Sequence, residues 1–261
     1  ANSRSIAWGV AQAWAKAGAE VHIACQARQL SRVQGLAAEI GVTRVSACDL
    51  RDDAQVAALS EDLRSSFGHV DSVLHSVAYA SPRAMQGSLL ETQREDFAEA
   101  MDVSSYSFLT LARHTAPLLS PAGASLMTVT FLGATSVVPS YNVMGVAKAS
   151  LEALVRGLAW ELGPRNVTVN ALSPGPVNTV SARGIKDFVG LKNRAIEHTP
   201  LSRSATIHEV GEAATFLAGD GARSITGQVL MLDGGLSAMA PVPFVRDGDD
   251  NNDAAAPSPL R

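Results

Sequence analysis

Tyr141 and Lys148 are the side chains best suited to chemistry in this chain. They stand seven positions apart in Tyr141-Asn142-Val143-Met144-Gly145-Val146-Ala147-Lys148, at the head of an amphipathic pattern that runs to Leu162. Seven residues make about two helical turns, so the two side chains face the same way, with Cα atoms roughly 10 Å apart along the axis. A phenol can hydrogen-bond an oxygen that gains negative charge. An ammonium can hold ribose hydroxyls and stabilise that charge. The pair suits a site that reduces a carbonyl compound. A surface tyrosine and lysine on an ordinary helix would show the same spacing, so the surrounding elements must decide between the two.

Helix patterns over 5–17, 30–40, 53–67, 96–119, 141–162 and 206–218 alternate with strand patterns over 20–25, 44–48, 71–76, 124–130, 167–172 and 229–232. Repeated β-α order predicts the α/β class: a doubly wound, Rossmann-like parallel sheet covered by helices on both faces. Such sheets bind ligands where strands end and helices begin. Thr206 and Glu209 have the spacing of a capping box. Residues 175–199 interrupt the rhythm, and a connection that long predicts a lid. A single domain is expected over 1–240. The remainder, 241–261, is acidic and proline-rich and reads as a disordered tail.

Composition narrows the function classes. The 261 residues are 46% hydrophobic and 18% charged, as in ordinary globular proteins. A net charge of −4 argues against a nucleic-acid partner. No apolar run is long enough for a membrane span, and Ala1 to Arg4 do not read as a signal peptide. Cys25 and Cys48 each end a predicted strand and read as small buried apolar residues, not as disulfide partners or metal ligands. A cytoplasmic location is the simplest expectation.

Several segments carry a resemblance: Ser5-Ile6-Ala7-Trp8-Gly9, Cys48-Asp49-Leu50, His75-Ser76-Val77-Ala78, Ser104-Ser105-Tyr106-Ser107-Phe108, Tyr141 to Ser150, and Gly184-Ile185-Lys186-Asp187-Phe188. Together they resemble enoyl-acyl-carrier-protein reductase, the NADH-using, triclosan-sensitive branch of the short-chain dehydrogenase/reductase superfamily. The likeness runs to about Ala238. The Tyr-x6-Lys spacing with an internal Met is characteristic of that branch, whereas the wider superfamily uses Tyr-x3-Lys.

The resemblance implies a set of roles. Tyr141 would hydrogen-bond the thioester carbonyl of a trans-2-enoyl substrate, Lys148 would grip the nicotinamide ribose, and Phe131 would shape the acyl pocket. Ala80, Met144, Ile185 and Phe188 would line the substrate site. Ala1, Ser5, Ile6, Ser76, Ala78, Gly175, Pro176 and Thr179 would follow the dinucleotide, with Asp49 and Leu50 flanking its adenine. Gln26 ends the second strand of the fold, where an acidic residue often binds the ribose 2′-hydroxyl of NAD. NADH is the implied cofactor, with NADPH left open by the nearby Arg28. The implied partners are an acyl carrier protein bearing an enoyl chain, and further copies of the chain in a homotetramer assembled through the two long helices. No metal, nucleic acid or membrane is implied.

Four departures from the family pattern matter. Residue 1 already lies in the turn before the first helix, so the strand that opens this fold and the first glycine of the phosphate loop are not in the sequence. Phe131 stands where most bacterial members have a second active-site tyrosine and can donate no hydrogen bond. Ala78 replaces a glycine and should crowd a bound diphenyl ether. Val189-Gly190 replaces a basic pair that meets the carrier protein, a task left to Lys186, Lys192 and Arg194 if they are more than a solvated helix face. Two other readings stay open. One is a short-chain ketone or alcohol oxidoreductase, against which Gly145 at the x3 position argues. The other is a non-catalytic remnant that binds no cofactor.

Overall fold

The computed structural model describes residues 2–86, 88–179, 182 and 187–239. The expected tail and two of the implied site residues, Ala1 and Ile185, fall outside them. The first helix, α1 (Ile6–Lys16), starts where sequence chemistry says it should. Ser5 is extended, and its hydroxyl accepts from the Trp8 N–H at 3.2 Å, which satisfies one of the open donors of the first turn. The last long helix, α9 (Ile207–Ala218), opens on the anticipated capping box. The Thr206 hydroxyl accepts from Glu209 N at 3.2 Å, and the Glu209 carboxylate accepts from Thr206 N at 2.8 Å. The two helices cross in close contact because Gly9 and Gly211 lie at the crossing. A Cβ on Gly9 would strike the Ile207 carbonyl, and one on Gly211 the Gly9 carbonyl.

The strands are all parallel. β1 (His22–Cys25) pairs with β2 (Arg44–Ala47). β3 (Ser72–His75), β4 (Ala124–Val129), β5 (Val167–Pro174) and β6 (Val229–Leu232) form a second sheet in that order. β4 and β5 are its buried centre. Successive residues point to opposite faces. Leu126 and Val169 pack with Leu151 and Val155 of α7 (Asn142–Leu162), while Met127 and Leu172 pack with Val10 of α1 and Val210 of α9. Helices therefore cover both faces, as a doubly wound sheet requires. Between the two sheets the ladder is broken. Among the described residues β1 pairs only with β2, and β3 only with β4. Ala24 is exposed, and Val73 and Leu74 are only partly buried.

Two expectations need correction. The helix anticipated over 96–119 is segmented into α5 (Arg94–Met101), a wide π turn (Asp102–Tyr106), α6 (Ser107–Thr115) and a tight terminal turn containing Pro117. Side chains of the π turn bond elsewhere. Ser104 Oγ accepts from Tyr79 N and donates to Tyr79 O, both at 2.9 Å, and Ser105 Oγ lies 2.9 Å from Ser150 Oγ of α7. An inserted residue in a helix commonly marks a functional region. The second correction concerns Tyr141, which caps α7 instead of opening it. It sits between two residues of positive φ, Ser140 (63°) and Asn142 (34°). The 175–199 connection contains a helix, α8 (Phe188–Glu197), started by an Asp187 side chain that accepts from Gly190 N. The remaining helices are α2 (Leu30–Glu39), α3 (Asp53–Phe67) and the short α4 (Pro82–Gln86).

Candidate active site

Tyr141 and Lys148 are both buried, at 8% and 5% exposure, so neither belongs to a solvated helix face. The Tyr141 ring rests on Gly133, in the tight turn Leu132–Ala134 after β4; a Cβ there would overlap the ring. The Phe131 ring meets it edge to face, 5.0 Å away between centroids. Met144 and Ala147 join Tyr141 and Met85 in one cluster, against which Ala80 and Phe131 pack. The structure thus brings together four implied residues: Tyr141, Phe131, Met144 and Ala80. Desolvation pushes the Tyr141 phenol well above its usual pKa, so it keeps its proton at neutral pH.

Lys148 Nζ donates to the Val129 carbonyl at 2.7 Å, where β4 ends. Burial lowers the pKa of its ammonium to about 8, opposed by the charge of Glu152. Beneath this end of the sheet lies His75, 1% exposed. Ser107 Oγ donates to Val103 O at 2.7 Å and so accepts from His75 Nε2–H at 2.8 Å. This leaves Nδ1 to accept from Thr128 Oγ1 at 2.9 Å. Burial lowers the pKa of His75 to about 3, and it stays neutral. The sequence pointed to neither Glu152 nor His75 as functional. Glu152 stands one turn after Lys148, a spacing that could have found it. His75 was quoted in a motif without a role.

A second cluster sits at the ends of β1 and β2. Gln26 Nε2 donates to Asp49 Oδ2 at 3.1 Å, and Arg51 grips the same carboxylate at 2.7 and 3.1 Å, lowering its pKa to about 2. Arg28 Nε donates to Gln26 Oε1 at 3.1 Å. Leu50, partly buried, packs toward Cys48, Val56 and Leu59, and Ile6, also partly buried, toward Val10 and Met127. Ser5 caps α1. Ser76 and Ala78 follow β3, Ser76 half-buried and Ala78 exposed. A Cβ on Gly175 would come within 3.2 Å of Asp233 Cα, and Thr179 Oγ1 accepts from Ala182 N. Phe188 is buried at the head of α8 but outside the Tyr141 cluster. A cavity of about 220 Å³ is lined by Phe131, Val138 and Pro176 on one side and Leu191, Arg194 and Ala195 of α8 on the other. Arg194 is paired with Asp187 at 3.3 Å. Lys186 lies outside the described residues.

The family model for enoyl-(acyl carrier protein) reductase matches residues 1–237 of this chain. The chain belongs to the enoyl-acyl-carrier-protein reductase family. Among curated relatives, it is 43% identical over 236 residues to the NADH enoyl-acyl-carrier-protein reductase 1 of Rhizobium meliloti, covering 90% of this chain and 86% of the relative. Among solved structures, the NADH enoyl-acyl-carrier-protein reductase of Aquifex aeolicus superposes with a TM-score of 0.90 at 37% identity, covering 93% of this chain and 95% of the other. The Anaplasma phagocytophilum reductase, solved with NAD, gives 0.89 at 37% identity, covering 94% and 93%. In this chain Tyr141 and Lys148 are a buried phenol at the cap of α7 and a buried ammonium two turns along it.

Gly133 gives a direct test of how Tyr141 is placed. Gly133→Ala should push the ring aside, and a misplacement of about 1 Å can cost on the order of 10²-fold in rate. Steady-state kinetics should show kcat falling much more than thermal stability, with NADH affinity kept. Unaltered kcat would mean the ring is positioned otherwise.

Proposed function

We propose that this chain reduces trans-2-enoyl thioesters carried by acyl carrier protein, using NADH, as a step of fatty acid synthesis. The observation that carries this reading is the buried pair: a neutral phenol at the head of α7 and, two turns on, an ammonium held at the end of β4. The residues fit the dinucleotide. Lys148 spends one N–H on Val129 O, and an ammonium has three donors, so two remain for ribose hydroxyls. At the far end, Gln26, held by Asp49, suits a ribose 2′-hydroxyl, and the NADH named for the relatives favours that cofactor despite Arg28 and Arg51.

Bound NADH supplies the hydride that the β-carbon receives. As it arrives, charge collects on the thioester oxygen, and the Tyr141 hydroxyl donates to that oxygen. The donor helps most in the transition state, where the charge is greatest. Phe131 cannot donate; its ring keeps the Tyr141 ring in place and walls the apolar cavity toward α8, which suits an acyl chain. α8, within the connection expected to be a lid, forms the facing wall. One reductase domain spans 1–240, and the cytoplasm is its expected location; among the described residues no helix is long and apolar enough to cross a membrane.

The outer face of α7 supports self-assembly. Val146, Ala149, Ala153, Gly157 and Trp160 form an exposed strip of small and apolar residues, with Trp160 87% exposed. Phe97 and Tyr106 are exposed on the neighbouring segment. A homotetramer that buries these helices accounts for both. The other reading, a family member without cofactor, differs from this one in predicting no NADH binding.

NADH titration separates the two readings. The native chain should bind NADH, and Lys148→Ala should weaken binding about 10–100-fold, the worth of hydrogen bonds to a charged group. Crotonyl-thioester turnover should track that loss through KM. No NADH binding by the native chain, or equal affinity in both proteins, would defeat the assignment.

A further inference from the structure

We propose that Glu152 is a positioning residue for Lys148, whose buried carboxylate holds the Lys148 ammonium protonated beside the carbonyl of Val129. This rests on the reading of Lys148 as the ribose-binding group. Glu152 is 7% exposed, on the inner face of α7. A carboxylate at that depth is costly without partners. One partner is Thr130, whose hydroxyl donates to Glu152 Oε1 at 2.7 Å. Thr130 is itself anchored, its N–H on the Leu172 carbonyl at 2.8 Å. The two adjacent residues that end the strand thus serve both members of the pair. Val129 O takes the ammonium, and Thr130 Oγ1 takes the carboxylate. Four-residue spacing puts Lys148 and Glu152 on one helix face.

Glu152 is the carboxylate that acts on Lys148 among the described residues. The other titratable groups on the elements packed around it are neutral or turned elsewhere. His75 of β3 is neutral, and Tyr141 keeps its proton. Asp96 of α5 is bound to Arg83 and Ser81. Glu99 and Asp102 act on Arg51. Burial drives the Lys148 ammonium toward its neutral form and the carboxylate opposes this, which leaves its titration near 8. The ammonium is therefore present below about pH 8 and lost above it. Without Glu152 the loss moves to lower pH, into the range where an enzyme at neutral pH needs the charge.

The chain has four lysines, so NMR of the protein labelled with carbon-13 at lysine Cε resolves each, and Lys148→Arg assigns the signal. Glu152→Gln keeps an oxygen for the Thr130 hydroxyl and removes the charge. It should lower the Lys148 titration by about one pH unit or more, tenfold in the proton equilibrium. NADH affinity should equal that of the native chain near pH 6 and fall earlier as pH rises, a recovery in acid that a packing defect would not give. Glu152→Asp withdraws the carboxylate by one methylene and should shift the titration less, in the same direction. It serves the test alone if the amide variant does not fold. An unmoved Lys148 titration in either folded variant overturns the proposal. Should Lys148→Ala bind NADH as the native chain does while the NMR titration still follows Glu152, the cofactor reading fails and the coupling stands.

Discussion

Tyr141→Phe should lower kcat with crotonyl thioester about 10²–10³-fold, the usual cost of removing one donor to a developing oxyanion, while NADH affinity stays near its native value. The substitution is well isolated by the structure. The Tyr141 ring is fixed by Gly133 beneath it, Phe131 at 5.0 Å, and Met144 on its own helix. A phenylalanine keeps each of these contacts, so the loss reports the hydroxyl and not the packing. Phe131, the nearest aromatic neighbour, has no hydroxyl to take over. The seven-residue spacing also limits rescue by Lys148, whose ammonium is tied to Val129 O. The fall should appear in kcat and kcat/KM alike, the signature of an interaction made mainly in the transition state. Native turnover in Tyr141→Phe, with the thioester bound normally, would remove Tyr141 from the mechanism.

An apolar strand supplied between β1 and β3 should raise the melting midpoint by about 10 °C or more. β1 pairs only with β2 and β3 only with β4 among the described residues, and Ala24, Val73 and Leu74 along this break are exposed or only partly buried. A strand there would cover Val73 and Leu74 and satisfy two open ladders. Each buried apolar side chain contributes about 1.5–3 kcal/mol, and each ordered residue costs about 1–2 kcal/mol in backbone entropy. With backbone groups newly paired at about 1 kcal/mol each, a six-residue strand gains on the order of 5 kcal/mol. At about 2–4 °C per kcal/mol for a domain of this size, that is a large shift. The test compares the chain with a version extended ahead of Ala1 by about a dozen residues, an apolar β-run ending in glycine. The glycine also lets backbone approach the pyrophosphate at the head of α1, so NADH should raise the midpoint further in the extended protein. Equal midpoints, with equal NADH response, would show that the edges are covered in some other way.

Local pattern by itself determined much of this protein. The alternation of periods 3.6 and 2, the cap at Ser5 and the capping box at Thr206, and the Tyr-x6-Lys spacing are properties of neighbouring residues, and each survives in the structure because nothing distant opposes it. Family membership was legible for the same reason, since short motifs at set offsets carry it. What only the tertiary structure decided involves residues far apart in the chain. The Tyr141 ring depends on Gly133, a contact between a turn and a helix that spacing does not reveal. The break of the long helix at Asp102–Tyr106 depends on Ser104 reaching Tyr79. Leu50, just beyond β2, and Ile6, at the head of α1, pack against buried clusters drawn from several distant elements. The charge of Lys148 depends on how deeply the folded sheet buries it, although the carboxylate that opposes this effect, Glu152, stands one helical turn away in the sequence. Burial is a property of the assembled molecule, and no window of sequence contains it.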